Sequence, residues 1–103
     1  AAKSAVSNLT QWLAVHFSKV GVRVNAIAPG FFITEQNRFL MMEKDGATPT
    51  PRGRKVLAKT PMHRFGEPED LCGVLRFLVS PSASFVTGVI IPVDGGFLAY
   101  SGV

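Results

Sequence analysis

The stretch GVRVNAIAPG, residues 21–30, decides the fold class of this sequence. Residues 22–28 are rich in β-branched side chains and are bounded by glycine and a Pro-Gly pair, which predicts a strand. Before it, apolar residues recur every three or four positions over residues 3–20 and predict a helix that ends at Gly21. Helix, glycine turn and strand in this order indicate an α/β fold with a parallel sheet. Ligands bind such sheets at the carboxyl ends of the strands, here just after residue 28.

Residues 31–63 are too structured to be a simple connector. Thr34, with Asn37 three residues later, is the predicted N-cap of a short helix. A second short helix is predicted over residues 52–59, after the turn signal TPTP at residues 48–51. A long segment of this kind beside a ligand-binding edge indicates a substrate lid.

The last third of the chain returns to regular elements. Residues 66–70, GEPED, carry the proline and acidic residues typical of a helix start. Arg64 is expected to pair with Glu67 or Asp70 and thereby to fix that start. Residues 86–93 predict a second strand, interrupted by a glycine and followed by a DGG turn.

Composition indicates one globular domain over residues 1–103. Of the 103 residues, 47% are hydrophobic and 17% are charged. No apolar run approaches the roughly 20 residues that a membrane helix needs. The net charge of +4 is spread along the chain except for a basic cluster within residues 52–59. Such a cluster is more typical of a solvated face than of a nucleic-acid site, so neither membranes nor nucleic acids are expected partners.

The cysteine and histidine content gives no sign of disulfides or metal. Cys72 is the only cysteine, and its helical apolar surroundings predict a small core residue. His16 and His63 have no Cys or His neighbour at ligand spacing, so no metal site is expected. These features fit a reducing, cytoplasmic setting. The helical pattern starts at the first residue without an N-cap signal, so we expect the sequence to be a piece of a longer chain.

Several short motifs, each weak alone, follow one another in a recognisable order. They are AKSAV at residues 2–6, the stretch 21–30, Thr34, RFGEPED at residues 64–70, SFVTG at residues 84–88 and VDGG at residues 93–96. In this order they resemble the C-terminal region of the short-chain dehydrogenase/reductase family, over essentially the whole chain. The resemblance implies a Rossmann-like, doubly wound parallel sheet, a nicotinamide cofactor (NAD or NADP) and a homo-oligomer, a dimer or tetramer. It also suggests that Trp12 and Phe17 face another subunit.

The same resemblance implies a catalytic role for Lys3. This residue matches the lysine of the family's Tyr-x-x-x-Lys pair, whose tyrosine would lie four positions earlier, outside the sequence. The ammonium group is expected to lower the pKa of that tyrosine and to bond the nicotinamide ribose. Because the tyrosine and the Gly-rich dinucleotide loop are absent, the chain alone is expected to be inactive.

Cofactor-binding residues are implied at the end of the first predicted strand. Pro29 and Gly30 are expected beneath the nicotinamide, where a glycine allows close approach. The backbone of Phe32 is expected to bond the carboxamide. The Thr34 hydroxyl is expected to contact the carboxamide or a phosphate, and it could also cap a helix.

A finer resemblance points to the D-mannonate oxidoreductase (fructuronate reductase) branch of the family. It rests on TEQNR at residues 34–38, TPM at residues 60–62 and the ending AYSGV. That branch interconverts a keto sugar acid and an aldonic acid, D-fructuronate and D-mannonate, with a nicotinamide cofactor. A small sugar acid is therefore the expected substrate.

Substrate contacts are expected directly after Thr34. The candidates for bonding the sugar hydroxyls are Glu35, Gln36 and Asn37. The candidates for the substrate carboxylate are Arg38, Arg52 and Arg54, because a guanidinium group binds a carboxylate through two parallel hydrogen bonds.

Two alternatives stay open at this stage. The enzyme could act on another keto group, such as a 3-oxoacyl thioester or a different sugar, which a substrate panel would reveal. The chain could also be a non-catalytic relic that dimerises or binds protein through exposed apolar faces.

Overall fold

A computed structural model describes residues 2–101 of the chain, apart from the Lys3 side chain. Its helices and strands, in chain order, are α1 Ala2–Phe17, β1 Ala26–Pro29, α2 Arg38–Met41, α3 Pro51–Ala58, α4 Glu69–Leu78 and β2 Ile90–Val93, with 3₁₀ turns at Ser18–Val20 and Pro81–Ala83. The two strands pair with each other. The Ala26 amide donates to the Val89 carbonyl and the Gly30 amide to the Val93 carbonyl, each at 2.9 Å. This constant register is parallel, which confirms the expected α/β fold.

The chain divides into two compact units. The first combines the residues up to Ala28 with Leu71–Pro92, and the second combines Pro29–Asp70 with the residues from Val93 onward. The residues proposed for cofactor and substrate, other than Lys3, therefore all lie in the second unit. The single-domain expectation for residues 1–103 stays a prediction.

Helix α1 confirms the helix expected before the first strand. It ends in a 3₁₀ turn, and Gly21 follows in the left-handed region at φ 77°. Its buried positions are Thr10 and Ala14, and the Ala14 methyl group lies 3.4 Å from where a Cβ on Gly88 would stand. Trp12 is 61% exposed and stacks on the His16 ring at 4.8 Å. That this helix faces another subunit stays a prediction.

Both strands begin later than the sequence predicts. The first was expected over residues 22–28 and starts at Ala26, and the second was expected over residues 86–93 and starts at Ile90. Before the strands, one backbone bond remains, from the Gly88 amide to the Val24 carbonyl at 2.8 Å, and side chains make the other bonds: the Val24 amide donates to Thr87 Oγ1 at 3.0 Å. We call residues 22–25 the lead-in segment. The predicted strand starts were wrong because side chains, among them those of Thr87 and Asn25, take places that backbone groups hold in a strand.

Asn25 and Arg23 carry most of the bonding of the lead-in segment. Asn25 Oδ1 accepts from the Val89 amide, and Asn25 Nδ2 donates to the Val86 carbonyl, both at 3.1 Å. The Arg23 guanidinium donates to the Val86 carbonyl at 3.0 Å and to the Leu78 carbonyl at 2.7 Å. The lead-in segment is thereby held, within the first unit, to Leu78 and to residues 86–89, all more than fifty positions further along the chain.

In the second unit, α2 packs on α3 through a glycine. A Cβ on the buried Gly53 would overlap the Met41 carbonyl oxygen, so only glycine allows this approach. Thr50 begins α3: its Oγ1 accepts from the Gly53 amide at 3.0 Å and donates to the Leu40 carbonyl at 2.5 Å. The helix expected over residues 52–59 is confirmed, shifted by one residue at each end. The lid function of residues 31–63 stays a prediction.

Few large side chains are buried. Among the described residues, the buried hydrophobic side chains are Ala14, Met41, Val56, Leu78 and Ala83. Cys72, expected in the core, is only half-buried. No helix in the described part of the chain has the length and apolar character that a membrane span requires. With so few large side chains buried among the described residues, we expect the chain alone to be poorly stable or to self-associate.

Candidate functional site

The carboxyl end of β1 meets the turn that follows β2. The Gly30 amide continues the strand pairing, and an added Cβ on Gly30 would lie 2.7 Å from both Cα and Cβ of Asp94. Asp94 is fixed in turn, because its carboxylate accepts from the amides of Gly96 at 2.9 Å and Leu98 at 3.1 Å. Packing against Asp94 therefore requires glycine at position 30, whether or not a ligand also lies beside it.

The chain after Gly30 forms a loop over residues 30–37, which we call the exit loop. The Gly66 amide donates to the Phe31 carbonyl at 2.9 Å, and Phe32 and Gly66 form a parallel bridge. Backbone groups of successive residues in an extended chain point to opposite sides. The amide and carbonyl of Phe32 therefore point away from Gly66. The Phe31 ring packs edge-on against Phe97 at 5.2 Å.

Thr34 and Asn37 bond each other reciprocally at the end of the exit loop. The Thr34 amide donates to Asn37 Oδ1 at 2.8 Å, and the Asn37 amide donates to Thr34 Oγ1 at 3.3 Å. Asn37 Nδ2 also donates to the Phe32 carbonyl at 2.8 Å. The reciprocal bonds match the expected capping pattern, but Thr34 is not the N-cap of α2. The helix starts at Arg38 with Asn37 as its N-cap, because residues 35–37 form a turn first.

The expected ion pair of Arg64 is present, and Asp70 is its partner. The guanidinium donates two hydrogen bonds to the Asp70 carboxylate, at 2.8 and 3.0 Å. Asp70 Oδ2 also accepts from the Glu67 amide at 2.8 Å, ahead of α4. The bonds from Arg64 and then from Glu67 lower the pKa of Asp70 to about 2. This pair holds the segment whose Gly66 bridges the exit loop.

A cavity of about 220 Å³ lies in the second unit beside the exit loop. Its apolar lining includes Phe31, Phe32, Met62 and Val93, and its polar lining includes the Arg64–Asp70 pair and Asp94. Each of these charged groups is already bonded within the protein. The cavity thus offers mainly apolar surface and no unengaged charge among its named lining residues.

The candidate substrate residues lie at the surface of the second unit. Glu35, Gln36 and Arg38 are exposed, whereas Asn37 is half-buried. Arg38 borders an open cleft that also includes Glu67 and Glu69. The structure therefore brings these residues together in one turn. It also shows that both ends of the Asn37 amide are engaged by backbone groups, so that a substrate contact would compete with two existing bonds.

The other candidates lie apart from this turn in sequence. Arg52 and Arg54 are exposed on α3, where Arg54 donates to the Pro49 carbonyl at 3.2 Å. Lys3 lies in the first turn of α1, and its side chain falls outside the described part of the structure. Its catalytic role stays a prediction. In the described residues, no group of His, Cys, Asp or Glu side chains is arranged to hold a metal.

Sequence reasoning missed Gly66 and the Phe32 bond of Asn37. An added Cβ on Gly66 would overlap the Phe32 ring, so this glycine lets residues 64–66 approach the exit loop. In the sequence, Gly66 indicates only a helix start. The bond from Asn37 to Phe32 spans five residues and has no sequence pattern of its own.

Comparison with known proteins identifies the family. The sequence profile of the family described as enoyl-(acyl carrier protein) reductase matches residues 1–98. The chain belongs to this family, which is part of the short-chain dehydrogenases/reductases. It is 60% identical over 104 residues to the uncharacterized oxidoreductase UxuB of Bacillus subtilis (strain 168), covering 100% of this chain. The chain spans 37% of the length of that relative.

Two solved structures share the fold and contain a nicotinamide cofactor. One, from Haemophilus influenza, carries the provisional description D-mannonate oxidoreductase and has bound NAD. It is 59% identical, with a TM-score of 0.88, over 99% of this chain and 36% of that chain. The other, from Agrobacterium tumefaciens, carries the provisional description 2-deoxy-D-gluconate 3-dehydrogenase and has bound NADP. It is 41% identical, with a TM-score of 0.80, over 95% of this chain and 37% of that chain.

Proposed function

We propose that this chain forms the nicotinamide and substrate side of an NAD(P)-dependent oxidoreductase that interconverts D-fructuronate and D-mannonate. The observation that carries the proposal is the exit loop. It is fixed at Gly30 by the close approach of Asp94 and at Asn37 by two 2.8 Å bonds. Family membership and similarity to proteins with bound NAD or NADP support the same conclusion.

The polar groups of the exit loop fit a nicotinamide carboxamide. A carboxamide has one acceptor oxygen and an NH₂ donor. The Phe32 amide, which points away from Gly66, can donate to the oxygen, and the exposed Thr34 hydroxyl can donate or accept beside it. Pro29 and Gly30, just before these groups, would support the ring. When bound, NAD(P)H supplies a hydride to the substrate carbonyl carbon.

Lys3 completes the proposed chemistry from α1. Its ammonium group would stabilise the phenolate of a tyrosine four positions earlier, since residues four apart share a helix face. Lowering the pKa of that tyrosine lets it exchange a proton with the substrate oxygen near neutral pH. Glu35, Gln36 and Arg38 would bind the sugar acid, with Arg38 bonding its carboxylate.

A chimera tests this proposal. In it, the present chain replaces the matching 104 residues of the Bacillus subtilis oxidoreductase, to which it is 60% identical. We expect the chimera to oxidise NADH or NADPH when fructuronate is present. The chain alone should oxidise neither cofactor. Arg38→Ala should raise the KM for fructuronate about tenfold, because a charge-assisted bond is lost, and leave the KM for the cofactor unchanged.

A panel of keto substrates, tested on the chimera, separates two parts of the proposal. The general part is that the chain belongs to an NAD(P)-dependent oxidoreductase, and the specific part is that the substrate is a sugar acid. Turnover of 3-oxoacyl thioesters or other sugars without fructuronate would remove the sugar-acid assignment and keep the oxidoreductase. A folded chimera that binds neither NADH nor NADPH, when the parent binds one of them, would overturn the function proposed for this chain.

A further inference from the structure

We propose that Asn37 positions the cofactor-binding loop and does not contact the substrate. The inference rests on the proposed function, because it assigns the exit loop to the nicotinamide. It departs from the sequence-based expectation that Asn37 bonds a sugar hydroxyl alongside Glu35 and Gln36.

The side-chain amide of Asn37 joins Phe32 and Thr34, the two residues whose polar groups would contact the nicotinamide carboxamide. Oδ1 accepts from the Thr34 amide at 2.8 Å, and Nδ2 donates to the Phe32 carbonyl at 2.8 Å. The orientation of the amide follows from these partners, since a flipped amide would place NH₂ against an N–H and oxygen against a carbonyl. One planar group thus sets the distance between the backbones of residues 32 and 34.

A substrate contact would be costly for this side chain. Turning the amide toward a ligand would leave the Thr34 amide and the Phe32 carbonyl without these partners. Asn37 is half-buried, whereas its neighbours Glu35, Gln36 and Arg38 are exposed and better placed for a soluble sugar acid. The hydrogen-bonding capacity of Asn37 is directed at the protein.

The bond to the Phe32 carbonyl has a consequence for recognition. It occupies the carbonyl and fixes the plane of the peptide between Phe32 and Ile33. The Phe32 amide belongs to the preceding peptide, whose Phe31 carbonyl accepts from the Gly66 amide at 2.9 Å, so Asn37 and Gly66 together hold the two peptides that flank Phe32. The Thr34 hydroxyl accepts from the backbone N–H of Asn37 at 3.3 Å, a bond that does not involve the Asn37 side chain. Loss of the side chain should therefore affect binding of the nicotinamide half of the cofactor and spare the adenosine half.

Asn37→Asp in the chimera is the sharpest test. The substitution keeps the oxygen that accepts from Thr34 and replaces the donor to Phe32 with a second oxygen, which repels the carbonyl. We expect the Kd for NADH to rise about tenfold, corresponding to one lost or reversed hydrogen bond. The Kd for ADP-ribose, which lacks nicotinamide, should stay within about twofold, and so should the KM for fructuronate.

The chain contains a matched control. Asn25 bonds the Val89 amide through Oδ1 and the Val86 carbonyl through Nδ2, so Asn25→Asp makes the same chemical change in the first unit. It should lower stability without changing the ratio of NADH to ADP-ribose affinity. Asn37→Ser provides a second variant. Its short hydroxyl can accept from Thr34 without repelling Phe32, so it should give a smaller loss of the same selectivity.

The outcomes are distinct. A raised KM for fructuronate with unchanged NADH affinity would overturn the inference in favour of a substrate contact. Equal weakening of NADH and ADP-ribose, in both Asn37 variants, would overturn it in favour of a general structural role. If the unsubstituted chimera fails to bind NADH or NADPH, the proposed function falls and this inference falls with it. Normal cofactor binding without loss in the Asn37 variants removes the inference alone.

Discussion

The lead-in segment and the exit loop lie before and after β1, and each is held by one asparagine. Asn25 and Asn37 use the same bonds, Oδ1 to a backbone amide and Nδ2 to a backbone carbonyl. They differ in the distance along the chain to their partners. Asn25 reaches residues 61 and 64 positions away, whereas Asn37 reaches residues three and five positions away.

Because their partners lie at such different distances along the chain, the two asparagines have different roles. Asn25 stabilises the fold, and Asn37 sets the conformation of a loop. The bonds of Asn25 form only when distant segments have come together, so their loss lowers the free energy of unfolding of the first unit. The bonds of Asn37 shape a loop locally, and their loss can change the conformation of that loop while the rest of the second unit remains folded. The same side chain therefore supports the fold in one place and, by our proposal, ligand binding in the other.

The largest expected effect comes from adding one methyl group at the start of the exit loop. Gly30→Ala places a Cβ 2.7 Å from Asp94 Cα and Cβ, where backbone must move. We expect the free energy of unfolding of the chimera to fall by about 3 kcal/mol, the upper range for overpacking. Urea unfolding followed by circular dichroism measures the change.

Gly73→Ala is the control for this substitution. Gly73 lies inside α4 with nothing within 4 Å of an added Cβ. The same methyl group should there stabilise the helix by about 0.5–1 kcal/mol. Similar effects of the two substitutions would show that close packing at the exit loop does not distinguish these glycines.

A second prediction compares the two asparagines by stability. Asn25→Asp should lower the free energy of unfolding by about 1–3 kcal/mol, because the Val86 carbonyl loses one of its two long-range donors, keeping Arg23, and faces a carboxylate. Asn37→Asp should cost less than about 1 kcal/mol, since a short exposed turn can readjust and bond water. Urea midpoints of the two variants decide the order. A larger loss for Asn37→Asp would reverse the assignment of roles.

The sequence predicts the order of elements well because periodicity and breakers are local. The helix before Gly21, the helix after residues 66–70 and the parallel strands are all found. The predicted strand starts were wrong because residues 22–25, Val-Arg-Val-Asn, have a strand-like composition. In the structure, the side chains of Arg23 and Asn25 instead donate to backbone carbonyls more than fifty positions away. Partners at that distance leave no trace in a local pattern.

In the candidate site, too, the sequence predicts the local contacts and does not predict the long-range ones. The Thr34–Asn37 reciprocity follows from capping-box spacing, and the Arg64–Asp70 pair was one of two expected pairings. The contacts of Gly30 with Asp94 and of Gly66 with Phe32 join segments far apart in the sequence, so they required the fold. For Glu35, Gln36 and Arg38, exposure alone neither supports nor removes a role, and their contacts with substrate stay a prediction.

The smallest expected effect concerns the segment that bridges the exit loop through Gly66. The bonds from Arg64 and Glu67 hold the pKa of Asp70 at about 2, below its ordinary value of 3.8. Because the pKa of Asp70 is lower in the folded state than in the unfolded state, its ionised carboxylate stabilises the folded state at pH values above the unfolded-state pKa. This contribution is therefore complete at neutral pH and is lost as the pH falls from 3.8 toward 2. Because the pair is exposed, it should also weaken with added salt.

Asp70→Asn isolates this contribution from other acidic groups. The pKa of Asp45 is also lowered, by bonds from the Thr48 and Ala47 amides, so the acid response of the chimera contains more than one carboxylate. The difference in urea midpoint between the chimera and its Asp70→Asn variant removes the shared part. We expect a small difference at neutral pH that shrinks below pH 3.8, and Arg64→Gln should reproduce it. A difference that stays constant down to acid pH would mean that the Arg64–Asp70 pair does not hold this segment through its charge, and the exit loop would then depend on Gly66 packing alone.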